Sequence, residues 1–462
     1  MAASKSKTSA RDKVTETRVL FRNIDESGLS KISTYKRLGG YQSLVKAYTE
    51  MTPEELLAEL ETSDLRGRGG AGFSMGKKAS FLPRGDMDKY LCCNADESEP
   101  GTFKDRELMQ KNPHQLIEGI AIAARAAGAN RCFIYIRGEY VLQADILDRA
   151  VAEAYEAGYL GSDVCGTGEQ VELVVHRGAG AYICGEETAL LDSLEGKRGN
   201  PRLKPPFPAV EGLYGGPTLI NNVETLSNVP HIVASGSDWF RSFGTEQSPG
   251  TKVVSVSGDV VKPGNYEVEL GVPVRGIIED LAGGPSGKAK LKCFFPGGSS
   301  SPVLTAEEGL DLPYSFEAMA EAGSMLGSGS IIVCDEETSV VDLALRVARF
   351  YHHESCGKCT PCREGTNWTV KMLERLTHGE ATPIDLETIV SVQGNITGNC
   401  LCVLGDSMAA PVSSLVAKYR PEFDRAISMG PVNGHRAGGN GNGHAGDSMP
   451  DVAWPLGAGS AG

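Results

Sequence analysis

The chain has 462 residues, enough for about three domains, and an ordinary globular composition of 40% hydrophobic and 23% charged residues. A net charge of −14 excludes nucleic acid as a natural partner, because phosphate binding needs a basic face. Twelve cysteines are too sparse for a disulfide scaffold, the adjacent Cys92 and Cys93 suit a reducing compartment, and no stretch approaches the ~20 apolar residues of a membrane span.

Met1 to Lys13 is basic and polar, without the apolar run of a signal peptide, and Asp12 and Glu16 fit poorly in an organelle transit peptide. Thr52-Pro53-Glu54-Glu55 opens an amphipathic helix, with Thr52 as cap, Pro53 in the first turn and Glu55 completing a capping box. Next comes Arg66-Gly67-Arg68-Gly69-Gly70-Ala71-Gly72-Phe73, followed by Lys77 and Lys78. Glycines free the backbone to aim N–H groups at an anion, and the basic residues point to a phosphate guest. No Gly-Lys-Ser/Thr closes the run, so it is not a P-loop.

Strand and helix then alternate. Tyr90–Cys93 reads as a buried strand leading into Asn94, Asp96, Glu97 and Glu99. Asn112 and Pro113 start a helix, Arg131–Ile136 is a strand, and a second helix carries Leu142, Ile146, Leu147 and Val151 in phase. Val171–Val175 is a third strand, and another helix begins near Glu186 after Tyr182. A βαβαβ pattern implies a parallel sheet with helices on both faces and a site at the carboxyl ends of its strands. Pro201 to Pro208 is a stiff loop with Phe207 at its tip, followed by the polar run Asn221-Asn222-Val223-Glu224-Thr225.

From Thr251 to Glu336 the pattern is that of a small α+β unit: a hairpin turning at Lys262-Pro263, a helix from Val274 to Leu281, and strands at Lys292–Phe295 and Ile331–Val333. No ligand chemistry is evident in it, which suggests a spacer or docking unit. A helix capped by Ser339 then delivers the chain to Cys356-Gly357-Lys358-Cys359-Thr360-Pro361-Cys362, with Cys400 and Cys402 downstream. Gly357, Pro361 and Gly365 supply turns that let three thiolates wrap a metal. Cys-x2-Cys-x2-Cys with one distant cysteine is the spacing of a cubane iron–sulfur site. Structural zinc completed by His352 or His353, or reduced thiols without metal, also fit the spacing. Helices at Trp368–Leu376, Leu386–Val392 and Ala409–Lys418 make a bundle around the cysteines, and the tail after Gly430 is too poor in apolar residues to fold.

Four of these stretches, Arg66–Phe73, Asn94–Gly101, Gly180–Thr188 and Glu354–Cys359, resemble the flavoprotein subunit of respiratory NADH–quinone oxidoreductase (complex I), over about residues 30 to 425. The same module occurs in NAD-reducing hydrogenases and NAD-dependent formate dehydrogenases. The resemblance implies a Rossmann-like α/β domain for FMN and NADH over residues 1–245, a β-grasp (ubiquitin-like) domain over 250–336, a helical [4Fe–4S] domain over 337–430 and a disordered tail over 431–462. It implies FMN lined by Gly67, Gly69, Gly70, Lys78, Asn94, Asp96, Glu97, Tyr182, Gly185, Glu186, Asn221, Asn222 and Thr225. NADH would face Phe73, Phe81, Glu99, Glu187, Lys204 and Phe207, with Glu99 and Glu187 as the candidate catalytic residues. Cys356, Cys359, Cys362 and Cys402 would hold the cluster, leaving Cys400 as an additional thiol. Hydride would pass from NADH to FMN and single electrons to the cluster, then through a [2Fe–2S] subunit and a large iron–sulfur subunit to quinone. The chain would sit on the cytoplasmic side of the membrane, held there by those partners. Acidic Glu186 and Glu187 would repel the extra phosphate of NADPH.

Overall fold

The computed structural model describes residues 13–85 and 87–428. The expected disordered tail, like the first 12 residues, lies outside them.

A four-stranded parallel sheet forms the first half: β1 (Tyr90–Ala95), β2 (Arg131–Ile136), β3 (Glu172–Arg177) and β4 (Thr218–Asn222), in the order β3-β2-β1-β4. Strand β1 is central and buried on both faces, so it reads as a nearly continuous apolar run. Its successive Cys92 and Cys93 point to opposite faces, into different clusters of the core. The sequence does not announce β4, because this short strand ends on polar Asn221 and Asn222. Chain order steps one way from β1 to β2 and the other way to β4, and that reversal opens a crevice at the carboxyl ends of β1 and β4.

Behind the sheet, the helices Pro113–Ala127 and Val223–Ser235 pack so closely that a Cβ on Gly119 would lie 2.0 Å from the Leu226 carbonyl oxygen. The Thr52–Glu55 capping box forms. Asn112 precedes its helix without capping it; its side-chain amide donates to Gln115 Oε1 (3.0 Å) instead.

Two buried glutamates tie down the N-terminal segment. Glu118 accepts from the backbone N–H groups of Tyr41 (2.9 Å) and Leu44 (3.0 Å) and from the Tyr35 hydroxyl (2.5 Å). Glu267 accepts from Val19 (2.9 Å), Leu20 (3.0 Å) and Phe21 (2.8 Å), and from the Thr251 hydroxyl (2.6 Å).

The second unit is a five-stranded mixed sheet: β5 (Thr251–Gly258), β6 (Gly264–Glu269), β7 (Leu291–Phe295), β8 (Leu304–Thr305) and β9 (Ser330–Asp335), ordered β6-β5-β9-β7-β8. The β5–β6 hairpin is antiparallel and β5–β9 is parallel. The helical turn Gly276–Leu281 buries Ile277 and Ile278 in this unit.

The third unit has five helices, Val340–Glu354, Thr360–Thr377, Pro383–Ile396, Leu404–Lys418 and Arg420–Ser428. The cysteine segment is more helical than its spacing suggests. Pro361 occupies the first turn of Thr360–Thr377, where its missing N–H costs nothing. Gly365 lies inside that helix and makes no turn; a Cβ there would meet Ile396 Cδ1 at 2.7 Å.

A buried charge network joins the first two units. Lys104 Nζ lies 2.8 Å from both Asp105 and Glu224, and Lys252 Nζ lies 2.5 Å from Glu224. Burial pushes the Glu224 carboxyl up, but the two ammoniums more than offset this and hold it below its ordinary value. Burial brings Lys252 down to about 7. Glu224→Gln would leave two buried ammoniums without their shared counter-ion, so it is expected to destabilise the protein by about 3–5 kcal/mol. Urea denaturation followed by circular dichroism checks this, and a loss below ~1 kcal/mol would show that the network contributes little.

Candidate functional site

The crevice at β1 and β4 deepens into a cavity of about 660 Å³. Of the expected residues, Gly69, Gly70, Asn94, Asp96, Glu97, Glu99, Tyr182, Gly185, Glu186, Asn222 and Cys402 line it. Gly67, Phe73, Lys78, Phe81, Glu187, Lys204, Phe207, Asn221 and Thr225 lie outside its lining.

The glycine loop is a tight turn closed by Gly67 N–H donating to the Phe73 carbonyl (2.9 Å). Its arginines do not face an anion, contrary to the reading of a basic phosphate loop. Arg68 is fully buried and donates to the carbonyls of Thr251 (3.0 Å), Pro249 (2.7 Å) and Arg66 (3.0 Å). Arg66 donates to the Gly72 carbonyl (2.8 Å) and lies over the Phe316 ring. Both brace the loop from behind. From beneath, Thr225 accepts the backbone N–H of Arg68 (2.8 Å), and Gly69 abuts Asn222. At Gly70, φ is +151° and a Cβ would meet nothing within 4 Å, so its free side faces open cavity.

After β1, Asn94 donates to the Gly185 carbonyl (2.8 Å) and accepts the Asp96 N–H (3.1 Å). Asp96 Oδ1 accepts from Ser98 (2.9 Å), whereas Oδ2 is buried without a partner. Burial pushes this carboxyl up to about 7. Glu97 accepts from the backbone N–H groups of Asp105 (2.7 Å) and Arg106 (2.9 Å), so it caps a helix with its carboxylate at the cavity wall. Asn222 caps the helix after β4 by accepting from Glu224 N–H (3.0 Å). The buried Asn221 Nδ2, like Asp96 Oδ2, has no partner. The unmet Asp96 oxygen, in the same cavity wall as the open Gly70 backbone, fits a polar ligand such as a flavin mononucleotide.

Asp96 has a pH signature in the cofactor-free chain. Both states are protonated below about pH 4; between about pH 4 and 7 the unfolded chain ionises while the folded carboxyl stays neutral, so stability falls across that window. Burial also raises Glu97 and Glu267 to about 7, so Asp96→Asn should make that slope shallower without removing it, as urea titrations at pH 4, 5.5 and 7 would register.

Glu99 accepts from the Tyr182 hydroxyl (2.7 Å), from Ser300 N–H (2.8 Å) and, at 3.4 Å, from the Ser299 and Tyr351 hydroxyls. The mixed-sheet unit therefore contributes to the cavity wall: Ser300, Met325, Gly327 and Ser328 line it. The run Gly297-Gly298-Ser299-Ser300-Ser301 was the available signal, since a Cβ on Gly298 would strike Glu99 Cγ at 2.7 Å. Lys104 and Asp105, also in the lining, were missed too.

At the mouth, Glu186 caps the helix Glu187–Leu194 through Thr188 N–H (2.9 Å) and Ala189 N–H (3.0 Å), and its other oxygen accepts from Lys204 (2.9 Å). Glu187 bridges Lys78 (2.8 Å) and Lys204 (2.9 Å). Burial alone would raise its carboxyl, but the ammoniums win and bring it down to about 2. Two carboxylates thus face two ammoniums, and the pair is not the uncompensated negative patch that the sequence suggests. Phe73 and Phe81 stand exposed with ring centroids 6.1 Å apart, and Phe207 is exposed on its loop.

The thiols of Cys356, Cys359, Cys362, Cys400 and Cys402 form one neighbourhood. Burial pushes Cys362 up to about 11, with Cys359 and Cys356 adding to the effect, and the Ser355 hydroxyl lies 3.1 Å from its sulfur. Burial pushes Cys402 up to about 12, helped by Glu186, Cys356 and Cys362. Cys400 faces Cys359 and Cys362, donates to the Ile396 carbonyl (3.6 Å) and rests on Gly405. His352 bonds Thr366 (3.2 Å), and His353 lies exposed beside Glu354, so neither completes a Cys3His set. Among the described residues, no group of three or more His, Cys, Asp or Glu side chains is drawn together closely enough to hold a metal ion. A soft all-thiol donor set fits an iron–sulfur cluster.

A doubly wound nucleotide-type crevice whose wall includes one of a group of clustered thiols defines the class: an electron-transferring oxidoreductase module. Three family models match in chain order: the Nuo51 FMN-binding domain over residues 60–231, the SLBB domain over 253–304 and the NADH-ubiquinone oxidoreductase-F iron-sulfur binding region over 342–426. The chain is 53% identical over 406 residues to the second of the NADH-quinone oxidoreductase F subunits of Rhizobium meliloti, covering 88% of this chain and 96% of that one. It is 50% identical over 405 residues to the corresponding F subunit of Streptomyces coelicolor, covering 87% and 90%. Among solved structures, an NAD+-reducing [NiFe]-hydrogenase in the H2-reduced state superposes with a TM-score of 0.79 at 36% identity, covering 89% of this chain and 67% of that one. The chain belongs to the family of NADH-quinone oxidoreductase F subunits.

Proposed function

We propose that this chain is the electron-input subunit of an NADH–quinone oxidoreductase. The observation that carries the reading is contiguity: Cys402 lies in the wall of the same cavity as Gly70, Asp96 and Glu99. Bound there, FMN supplies hydride acceptance from NADH and single-electron release to a [4Fe–4S] cluster. The chain's residues position these groups. Gly70 would let the flavin approach the backbone, Gly69 makes room for Asn222 beneath it, and Asp96 would offer a free polar atom. Glu99, held by Tyr182 and Ser300, presents a fixed carboxylate beside the reacting rings, and Phe73, Phe81 and Phe207 offer aromatic faces to the adenine. Cys356, Cys359, Cys362 and Cys402 hold the cluster.

Among the described residues no helix is long and apolar enough to cross a membrane. The chain reaches the cytoplasmic face of the membrane through a [2Fe–2S] subunit and a large iron–sulfur subunit that carry its electrons to quinone. The hydrogenase likeness favours a second reading, the diaphorase subunit of an NAD-reducing hydrogenase. Affinity purification from the native cell with mass spectrometry separates them: quinone-reductase subunits support the first reading, and a [NiFe] subunit the second.

Nucleotide choice is testable at Glu187. Glu187→Gln leaves Lys78 and Lys204 with only Glu186 as counter-charge, so the mouth gains a net positive charge that tolerates a second phosphate. The NADPH/NADH ratio in ferricyanide reduction is expected to rise roughly tenfold. Equal loss with both nucleotides would place discrimination elsewhere in the cavity.

A further inference from the structure

Cys293 on β7 and Cys334 on β9 are direct partners across an antiparallel pair, next to a bulge at Lys292. Both are free thiols and both are buried, at 0% and 4% exposure. Directly opposed residues in such a pair have Cα atoms about 4.5–5.5 Å apart, within the span a disulfide bridges. Both side chains face the helical unit, on the side of the sheet where Tyr419 packs. Adjacent cysteines elsewhere lack this geometry, since Cys92 and Cys93 project from opposite faces of one strand.

The surroundings distinguish the two sulfurs. The hydrogen bond from Cys334 draws the Cys293 thiol below its ordinary value against the effect of burial, and Tyr419 and Lys292 help. The same hydrogen bond, with burial, pushes Cys334 up, so Cys293 is the more acidic of the two. The pair also sits at a junction: the Tyr419 hydroxyl donates to the Lys292 carbonyl (3.0 Å), and Lys292 Nζ pairs with Glu422 (2.8 Å).

We propose that Cys293 and Cys334 form a peroxide-reactive dithiol that closes to an intrachain disulfide. The Cys293 thiolate attacks one oxygen of hydrogen peroxide, the O–O bond breaks, and the departing hydroxide takes a proton to become water, leaving Cys293 as a sulfenic acid. The Cys334 sulfur then attacks the Cys293 sulfur, and the sulfenic hydroxyl leaves as a second water with the Cys334 proton. Two thiols lose two electrons and one peroxide gains them. The bond covalently fixes β7 to β9 at the point where the mixed sheet meets the last helix.

The test uses the full-length protein with its flavin and cluster in place. It is exposed to graded hydrogen peroxide, trapped with N-ethylmaleimide in denaturant, digested and mapped by mass spectrometry. The expected product is a single cross-linked peptide joining the segments that carry Cys293 and Cys334, short of two hydrogens and resolved by dithiothreitol. In Cys334→Ser, which lacks the resolving sulfur, a dimedone adduct should accumulate on Cys293. Recovery of both residues as maleimide adducts at every dose that leaves the protein folded would overturn the proposal. So would a Cys293 that goes directly to sulfinic acid, or that links to a different cysteine.

Discussion

Gly70→Val is expected to give a folded protein without FMN. A Cβ at this position meets no protein atom within 4 Å, so the branched side chain projects into the cavity and takes the space of the flavin. The residue also has φ at +151°, which strains any L side chain, but one residue at a strained φ costs only ~1–3 kcal/mol. Displacing a ligand from its contact surface costs more, and each 1.4 kcal/mol is about tenfold in occupancy, so flavin content should fall well beyond tenfold. Flavin fluorescence after denaturation measures it, with circular dichroism to report folding. Gly119→Val is the contrasting control: its Cβ would lie 2.0 Å from a backbone oxygen, so that variant should lose the fold along with the flavin. Normal FMN content in folded Gly70→Val protein would refute the placement of the flavin.

Cys402→Ser should lose the cluster and Cys400→Ser should keep it. Cys402 stands in the cavity wall beside Cys356 and Cys362; Cys400 also faces Cys359 and Cys362, but it lies outside the wall, spends its S–H on the Ile396 carbonyl and packs against Gly405. Iron content should drop from about four per chain to near zero in Cys402→Ser, with loss of the EPR signal of the reduced protein. The reverse pattern would make Cys400 the fourth ligand.

What could be read from the sequence was what local spacing encodes. Cys356, Cys359 and Cys362 declare themselves by interval, β1 by its apolar run, and Thr52 and Glu55 by the capping box. Side-chain direction is not encoded locally, and there the reading failed. Arg66 and Arg68 look like phosphate ligands by charge, but their guanidiniums bind carbonyls behind the loop. Glu186 and Glu187 look like a negative patch until Lys78 and Lys204 fold against them. The Lys104–Glu224–Lys252 network brings together residues distant in the chain, and nothing near any one of them hints at the others. Strand β4 was hidden because Asn221 and Asn222, which serve the site, have the composition of a loop. The serines facing Glu99 were passed over because they lie in a unit whose own pattern is that of a small independent sheet.

The carboxylate of Glu267 has a consequence for synthesis. It gathers the N–H groups of Val19, Leu20 and Phe21, which precede it by 246 to 248 residues. At ~5–20 residues per second, a ribosome needs roughly 10–50 s to reach that anchor after the N-terminus emerges. Throughout that interval these three N–H groups lack their acceptor, although Leu20 and Phe21 belong to a core made almost wholly of first-unit residues. The backbone of the N-terminal segment is therefore pinned last, and its fixed position reports that the second unit has been made.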